Sequence, residues 1–243
     1  MEDYKQEFIN FLLKTGALQV FEDSSKDRSL KSKRLSSWFV NIGDFNDGKS
    51  SGALANFYAD TIINSGVDVD NLYGIPDKMV GFASPVAIAM ARKGKNVAWC
   101  FSRKDEKTHG EATNLAPVDR AKKLLVGRIP KENQSICQID DVFTAGDAKY
   151  LANTFLNSIG KFNLPLLVIG VDRQEVATDS REAIAEYQDK TGTQVISIVN
   201  ATEVYSFLKG QKLVSERALE RLANYLRVYG TDSARKFSFF SRF

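Results

Sequence analysis

Hydrophobic positions along the chain form short continuous runs that alternate with helical patterns. Runs of strand length, which predict buried strands, occur at residues 71–75, 97–101, 135–139, 164–171 and 194–199. Between these runs, apolar residues three and four positions apart predict helices around residues 86–92, 148–159 and 181–190. Continuous apolar runs indicate strands that are covered on both faces. The pattern therefore predicts an α/β fold with a Rossmann-like parallel sheet flanked by helices.

Two regions lie outside this alternation. Near the N-terminus, Phe8, Phe11 and Leu12 share one face of a predicted amphipathic helix, and the charged stretch at 22–33 predicts a loop or a hairpin. The segment between residues 109 and 134 has no apolar run that indicates a strand. A segment of that length without its own secondary structure is usually functional or disordered.

Length and composition predict one domain over residues 1–243. Hydrophobic residues make up 43% of the chain and charged residues 26%, which is the balance of a globular protein with a core. The formal net charge of +3 is too small for a dedicated nucleic-acid binder. Asn10 and Lys14 interrupt the first apolar run, so the N-terminus fits neither a signal peptide nor a membrane span. We expect a cytoplasmic protein with no membrane or nucleic-acid partner.

The chain contains two cysteines, Cys100 and Cys137, and both lie inside apolar runs. They lack the CxxC spacing of zinc sites and give no disulfide framework. We therefore expect two buried thiols that serve packing.

Two adjacent carboxylates follow the strand predicted at 135–139, and a turn of small residues follows them. Asp140 and Asp141 can accept hydrogen bonds from ribose hydroxyls or hold a hydrated magnesium ion. Thr144 adds a hydroxyl, and Gly146 lets the backbone approach a ligand closely. Free amides at the start of the next helix bind phosphate. The segment therefore predicts a site for a sugar phosphate.

A cationic loop follows the strand predicted at 97–101 and contains the one histidine of the chain, His109. Its other charged groups include Arg103, Lys104 and Lys107. Taken alone, such a run is usually a solvated loop. Directly after a strand, however, three cations, a histidine and a glycine could close over a pyrophosphate, neutralise its developing charge and exclude water.

These segments resemble those of a known enzyme family. The acidic segment resembles the phosphoribosyl pyrophosphate motif of type I phosphoribosyltransferases: apolar residues, two acids, then Thr-Ala-Gly or a close variant. Residues 103–111 resemble the Arg-Lys-x-x-Lys-x-His-Gly-Glu catalytic loop of bacterial orotate phosphoribosyltransferases. Residues 172–175 match that family's Asp-Arg-Gln-Glu, and residues 30–45 look like its N-terminal substrate segment. The resemblance runs in order over about residues 4–229.

The resemblance implies a fold and a reaction. The fold would be the type I phosphoribosyltransferase fold, with a small substrate-side hood over about residues 1–45 and a tail over about 230–243. The reaction would transfer the 5-phosphoribosyl group of phosphoribosyl pyrophosphate (PRPP) to orotate, giving orotidine 5-phosphate and pyrophosphate in de novo UMP biosynthesis. Mg²⁺ would arrive through PRPP near Asp140 and Asp141, with no direct metal ligand assigned. The partner would be a second copy of the chain, in a homodimer that shares the catalytic loop.

The family's site residues carry over onto matching positions of this sequence. By that resemblance the catalytic residues are Lys107, His109 and Asp141. The residues expected to bind PRPP are Lys31, Asp77, Lys78, Arg103, Lys104, Lys107, His109, Asp140, Asp141, Val142, Phe143, Thr144, Ala145, Gly146, Asp147 and Ala148. The residues expected to contact orotate are Lys31, Phe39, Val40, Thr144 and Arg173. A flat anionic base needs a cation for its carboxylate, which Lys31 or Arg173 could supply.

Several positions depart from the family pattern. Asp147 stands where orotate enzymes usually carry Thr or Ser, and a carboxylate repels a bound phosphate. Asp77 and Met79 replace the more usual Tyr and Gly of the pyrophosphate loop. Residues 112–113 are Ala-Thr instead of two glycines, and the loop region is longer than in compact bacterial enzymes, mostly within 116–125.

Three other functions stay open from the sequence. Residues 43–50 satisfy the P-loop pattern GxxxxGKS of nucleotidases, although Asp44 and Asp47 stand where backbone amides should face phosphate. A non-catalytic regulator could keep the PRPP site as a sensor, but such a protein should have lost the cationic loop. A phosphoribosyltransferase could also act on another base, because the sequence does not show the shape of the base pocket.

Overall fold

A computed structural model describes residues 1–30, 32–103 and 116–240 of the chain, apart from the side chains at positions 44, 117 and 238–240. Its helices are α1 (Asp3–Lys14), α2 (Gly48–Asn64), α3 (Ala83–Arg92), α4 (Pro117–Lys122), α5 (Asp147–Ile159), α6 (Ala183–Thr191), α7 (Ala201–Gln211), α8 (Glu216–Tyr229) and α9 (Asp232–Phe240). Its strands are β1 (Leu18–Val20), β2 (Arg28–Ser29), β3 (Leu35–Ser36), β4 (Trp38–Val40), β5 (Asn71–Gly74), β6 (Ala98–Ser102), β7 (Leu125–Gly127), β8 (Ser135–Val142), β9 (Asn163–Asp172) and β10 (Gln194–Asn200).

The central sheet has six strands in the order β10-β9-β8-β5-β6-β7. The first five run parallel, and they are the strands that the apolar runs predicted, so the predicted Rossmann-like sheet is confirmed. Strand β7 differs, because it pairs antiparallel with β6 at the edge of the sheet. It lies in the segment between 109 and 134, where the sequence predicted no strand, and that prediction was wrong. Three residues are too few to produce a periodic signal.

Helices cover both faces of the sheet, which explains the continuous apolar runs. On one face, Val168 of β9 belongs to a core that includes residues of α1, α2, α3, α7 and α8. On the other face, Leu167 and Ile169 belong to a core with Leu156 of α5 and Tyr187 of α6. Successive side chains of a strand point to opposite faces. Because both faces are buried, successive positions of β9 are apolar.

The N-terminal segment forms two small antiparallel pairs beside the sheet, β1 with β4 and β2 with β3. We call helix α1 and strands β1–β4 the hood. Arg34 joins the hood to the body of the protein. Its NH1 donates to the carbonyl oxygen of Val176 at 2.7 Å, and its NH2 donates to that of Ala177 at 2.9 Å. The Arg34 guanidinium also lies 4.9 Å from the ring centroid of Tyr229 in α8. The hood is therefore fixed near the carboxyl end of β9.

The carboxyl ends of the five parallel strands lie along one edge of the sheet, which we call the carboxyl edge. Ligands of open α/β sheets bind at this edge. Strand β5 leads there to Lys78, β6 to Arg103, β8 to the turn at residues 143–146, and β9 to Arg173. The fold thus directs segments that are distant in sequence toward one region.

Cys100 and Cys137 are both buried and free, as their apolar surroundings predicted. The tail forms helix α9, in which Ala234 is buried and Phe237 makes an edge-to-face contact with Tyr205, with ring centroids 6.1 Å apart. Within the described ranges, no helix combines the length and the apolar character that crossing a bilayer requires.

Gly170 of β9 allows the sheet, helix α2 and the short turn after β4 to approach one another closely. A methyl group at this position would lie 3.0 Å from the Asp141 carbonyl oxygen and 3.0 Å from the Tyr58 hydroxyl, and it would also collide with the Ile42 side chain. The space left by glycine accommodates the Tyr58 hydroxyl, which donates a hydrogen bond to the carbonyl oxygen of Asp140 at 2.7 Å. Gly170 therefore makes possible the hydrogen bond by which α2 holds the end of β8.

We expect Gly170→Ala to lower the free energy of unfolding by about 1–3 kcal/mol, because the added methyl group overpacks this contact. Gly52→Ala in α2 is the matched control, since nothing lies within 4 Å of a methyl group there. The control should be neutral or stabilising by about 0.5–1 kcal/mol. Urea unfolding followed by circular dichroism measures both variants. A Gly170→Ala protein as stable as wild type contradicts the prediction.

Candidate active site

Asp140 and Asp141 lie side by side at the end of β8, and both residues are buried. The amide of Asp141 donates to Oδ1 of Asp140 at 2.8 Å, and the amide of Val142 donates to Oδ1 of Asp141 at 2.7 Å. These local bonds hold each carboxylate close to its own strand. Because neighbouring side chains of a strand point to opposite faces, the two carboxylates meet different neighbours.

Each carboxylate has a lysine partner from a different element. Nζ of Lys149, in the first turn of α5, lies 2.5 Å from Oδ2 of Asp140 and 2.7 Å from the carbonyl oxygen of Val142. Nζ of Lys78, in the loop after β5, lies 2.7 Å from Oδ2 of Asp141. Burial raises the pKa of the Asp140 carboxyl above its ordinary value, and the Lys149 ammonium opposes that shift. The two lysines therefore balance the charge of the acid pair.

The turn after β8 opens helix α5 with amides that no side chain caps. Gly146 immediately precedes the helix with a φ of 90°, a left-handed conformation that favours glycine. By contrast, side chains cap α2 and α7, through Asp47 and Asn200 respectively. Thr144 and Asp147 flank Gly146 in the sequence, and both are exposed. An uncapped helix start of this kind can accept an anion.

The loop after β5 brings Lys78 to the acid pair. Asp77 and Lys78 are exposed, and the peptide bond between Pro76 and Asp77 is cis. Met79, which replaces the family's more usual Gly, is fully buried in the core. Its side chain therefore packs inside the protein and is not part of the exposed loop surface. Arg103 is exposed directly after β6, where the cationic loop begins.

Arg173 follows β9 and is buried against the hood. Its guanidinium lies 4.1 Å from the ring centroid of Trp38 in β4, and its NH2 donates to Oγ of Ser36 at 2.9 Å. Its Nε donates to Oε1 of Glu175 at 2.7 Å. The ring centroid of Tyr225 in α8 lies 5.9 Å away, and burial raises the pKa of that phenol to about 12. Arg173 is therefore held rigidly between the hood, the sheet and α8.

The structure brings most of the described candidate residues to the carboxyl edge. The PRPP candidates Asp77, Lys78 and Arg103 follow the ends of β5 and β6. Residues 140–142 are the last three of β8, and residues 143–148 follow it. The orotate candidates Phe39 and Val40 lie in β4, next to the Trp38 that stacks on Arg173. The candidates Lys31, Lys104, Lys107 and His109 lie outside the described residues, and their roles stay predictions.

The acid pair is not a metal site by itself. In the part of the chain that the structure describes, no cluster of three or more His, Cys, Asp or Glu side chains could hold a metal ion. Two adjacent carboxylates do match the way Mg²⁺ is usually bound, through one or two carboxylates together with water and substrate phosphates. The donor set therefore fits an ion that a phosphorylated substrate delivers.

Comparison with known proteins gives the family. No protein-family model matches the chain. Orotate phosphoribosyltransferase of Janthinobacterium sp. (strain Marseille) is 33% identical over 237 residues, which cover 95% of this chain and 99% of the relative. That of Photobacterium profundum is 34% identical over 231 residues, covering 95% of this chain and all of the relative. The chain belongs to the orotate phosphoribosyltransferase family.

Solved structures agree with this orotate phosphoribosyltransferase assignment. The crystal structure of the Francisella tularensis enzyme has a TM-score of 0.76 and 28% sequence identity, and the match covers 93% of this chain and 100% of that chain. The Mycobacterium tuberculosis enzyme, solved in complex with PRPP, has a TM-score of 0.54 and 14% identity over 83% of this chain and 98% of that chain. At that identity the second match shows the fold alone. The expected type I phosphoribosyltransferase fold is confirmed.

Two residues at the acid pair were not predicted as site residues. Lys149 was missed although its position carries a signal, because it precedes Ala152, Asn153 and Leu156 on the buried stripe of α5. A lysine on such a stripe must find an anionic or polar partner. Tyr58 was missed because nothing local in α2 indicates that its hydroxyl reaches Asp140, which is 82 positions away in the sequence.

The geometry of residues 43–50 argues against a P-loop in this family member. Oδ1 of Asp47 accepts hydrogen bonds from the amides of Lys49 and Ser50, at 2.8 and 3.0 Å. The Asp47 carboxylate thus occupies the helix start where a P-loop would hold a phosphate. The segment before it is a short 3₁₀ turn, Ile42–Asp44, instead of a strand. Asp47 is a helix cap.

We expect Asp47→Ala to lower the free energy of unfolding by about 0.5–2 kcal/mol, because the start of α2 loses its cap. Asp68→Ala is the control, since the Asp68 side chain is 94% exposed and should contribute within about 0.5 kcal/mol. Denaturant unfolding measures both. Equal stability of the two variants would contradict the capping role.

Proposed function

We propose that the chain transfers the 5-phosphoribosyl group of PRPP to orotate, giving orotidine 5-phosphate and pyrophosphate in de novo UMP biosynthesis. The observation that carries the proposal is the buried acid pair followed by the uncapped start of α5, at the carboxyl edge of the sheet. Lys78 and Arg103 arrive at the same edge from neighbouring strands. Relatives over nearly the whole chain carry the name of this enzyme, and one protein of the same fold was solved with PRPP.

In the proposed complex, the 5-phosphate of PRPP lies on residues 144–148. The amides that open α5 receive it, because no side chain caps them. The ribose hydroxyls lie near Asp140 and Asp141, whose carboxylates accept hydrogen bonds. Orotate lies beside Phe39 and Arg173, where the hood covers the end of β9. This arrangement places the base and the sugar on neighbouring strands of one edge.

Catalysis in this proposal rests on positioning and electrostatics. The bond between the anomeric carbon and the pyrophosphate oxygen breaks, and its electron pair leaves with pyrophosphate. The orotate nitrogen forms the new bond to that carbon, and its proton passes to the departing pyrophosphate. No covalent intermediate forms, and polar and cationic side chains stabilise the departing charge. These side chains are Lys78, Arg103, Lys104, Lys107 and His109.

Mg²⁺ belongs to the proposal as a companion of PRPP. It would bind near Asp140 and Asp141, directly or through water, once the exposed Lys78 releases the Asp141 carboxylate. When bound, it would reduce the negative charge of the pyrophosphate group. The cytoplasmic location that the sequence predicts is part of the same proposal.

Turnover of orotate tests the function directly. The purified protein, mixed with orotate, PRPP and Mg²⁺, should lower the ultraviolet absorbance of orotate, and mass spectrometry should detect orotidine 5-phosphate. Mixtures lacking the protein, PRPP or Mg²⁺ are the controls. Binding of PRPP without turnover of orotate would contradict the proposal and favour a transferase for another base or a sensor, for which the exposed Asp147 already gives a reason.

The proposed homodimer shares its catalytic loop, so two inactive variants should complement each other. We expect Lys107→Ala and Asp141→Asn each to lower turnover by about 100-fold, since both act on the transition state. After subunit exchange between equal amounts, one site in each mixed dimer has both wild-type residues. Random pairing then restores roughly a quarter of wild-type turnover.

Mixing each variant with itself is the control, and mass spectrometry of the dimers verifies exchange. If exchange is complete and turnover stays at the level of the single variants, the loop serves its own subunit and the shared site is wrong.

A further inference from the structure

Lys149 is a buried lysine at the centre of the proposed PRPP site. It is 5% exposed, although it lies in the first turn of α5, directly after the turn at residues 143–146, which we call the phosphate turn. Its ammonium group contacts two oxygen atoms, Oδ2 of Asp140 at 2.5 Å and the carbonyl oxygen of Val142 at 2.7 Å. It also lies 5.3 Å from the ring centroid of Phe143. The 5-phosphate would lie on residues 144–148. Lys149 directly follows this segment, and its contacts connect it to residues 140–143, which precede the segment.

We infer that Lys149 is a positioning residue: it keeps Asp140 in a permanent ion pair, so that Asp141 alone is released to the substrate. The inference rests on the proposed function and assigns separate tasks to two adjacent acids. Asp140 would shape the turn, and Asp141 would meet the ribose and the ion that accompanies PRPP.

The difference between the two lysines supports this division. The Lys149 side chain is 7% exposed and the Asp140 side chain is equally buried, so neither partner can turn to solvent without leaving the other unpaired. The Lys78 side chain is 49% exposed, although its Asp141 partner is 12% exposed. Lys78 can therefore exchange Asp141 for the pyrophosphate of an arriving substrate at little cost. Lys149 has no comparable path to solvent.

The charge of the segment gives a second reason. PRPP is a polyanion, and the segment that would receive it carries three carboxylates, Asp140, Asp141 and Asp147. The fixed ammonium of Lys149 neutralises the negative charge of Asp140 before the substrate binds. The same ammonium fixes the Val142 carbonyl, which lies at the start of the turn. Loss of Lys149 would thus leave an unpaired buried charge beneath the phosphate turn.

A double-mutant cycle separates this role from simple packing. Calorimetry measures the dissociation constant of PRPP for wild type, Lys149→Met, Asp140→Asn and the double variant, each with Mg²⁺. We expect Lys149→Met to weaken PRPP binding by about 10-fold or more, because a buried carboxylate is left unpaired. In the double variant the charge is gone as well, so PRPP affinity should return to within about threefold of Asp140→Asn.

The control is Lys5→Met, which removes another lysine–carboxylate pair, with Lys5 Nζ 2.7 Å from Oε1 of Glu203 between α1 and α7. It should change PRPP affinity by less than about twofold. If Lys149→Met does not fold, the PRPP affinities of Asp140→Asn and of the double variant are compared instead, and this comparison tests the inference. The inference is wrong if Lys149→Met binds PRPP within twofold of wild type, or if the double variant binds about 10-fold more weakly than Asp140→Asn.

Orotate turnover by wild type is measured in parallel and reports on the proposed function alone. A protein that binds PRPP with the expected cycle but leaves orotate unchanged would refute the enzyme activity and retain the role of Lys149. A protein that turns over orotate without coupling between Asp140 and Lys149 would support the enzyme activity and refute the role of Lys149.

Discussion

Two like charges at the end of a buried strand are the constraint around which the carboxyl edge is built. Asp140 and Asp141 are adjacent, and burial of two carboxylates is costly unless each meets an opposite charge or hydrogen-bond donors. Lys149 and Lys78 meet this need from two separate elements, α5 and the loop after β5. The positions of that helix and that loop relative to β8 are therefore coupled to the acid pair. A ligand that takes Lys78 away from Asp141 therefore also acts on the loop after β5.

Packing and a hydrogen bond fix the backbone at the end of β8. Gly170 leaves room for the Tyr58 hydroxyl, which donates to the carbonyl oxygen of Asp140. Burial, together with the two nearby carboxylates, raises the pKa of Tyr58 well above its ordinary value. The phenol consequently keeps its proton and stays a donor. The end of β8 is thus supported by α2 on one side and by α5 on the other.

The hood is attached at the neighbouring strand by arginine chemistry. Arg173 stacks on Trp38 and bonds Ser36, while Glu175 accepts from the same guanidinium. A planar guanidinium can stack and donate at once, which lysine cannot do. These contacts set the orientation of Arg173, so in the proposed complex the base would meet a side chain that is already in place. Arg34 adds a second connection through two backbone carbonyls.

The sequence by itself determined the five parallel strands, because strands that are buried on both faces must be apolar at successive positions. It also identified the two acids and the glycine of the turn after β8, since these residue types occur in a recognisable order. The cationic loop stays a prediction, because residues 104–115 lie outside the described part of the chain. Strand β7, with three residues, had no such signal, and only its pairing with β6 defines it. Only the tertiary structure decided that Lys149 neutralises Asp140, that Met79 lies in the core and that Asp47 caps α2. Charge pairing, burial and capping depend on which atoms come within a few ångströms of one another, and local sequence patterns do not contain those distances.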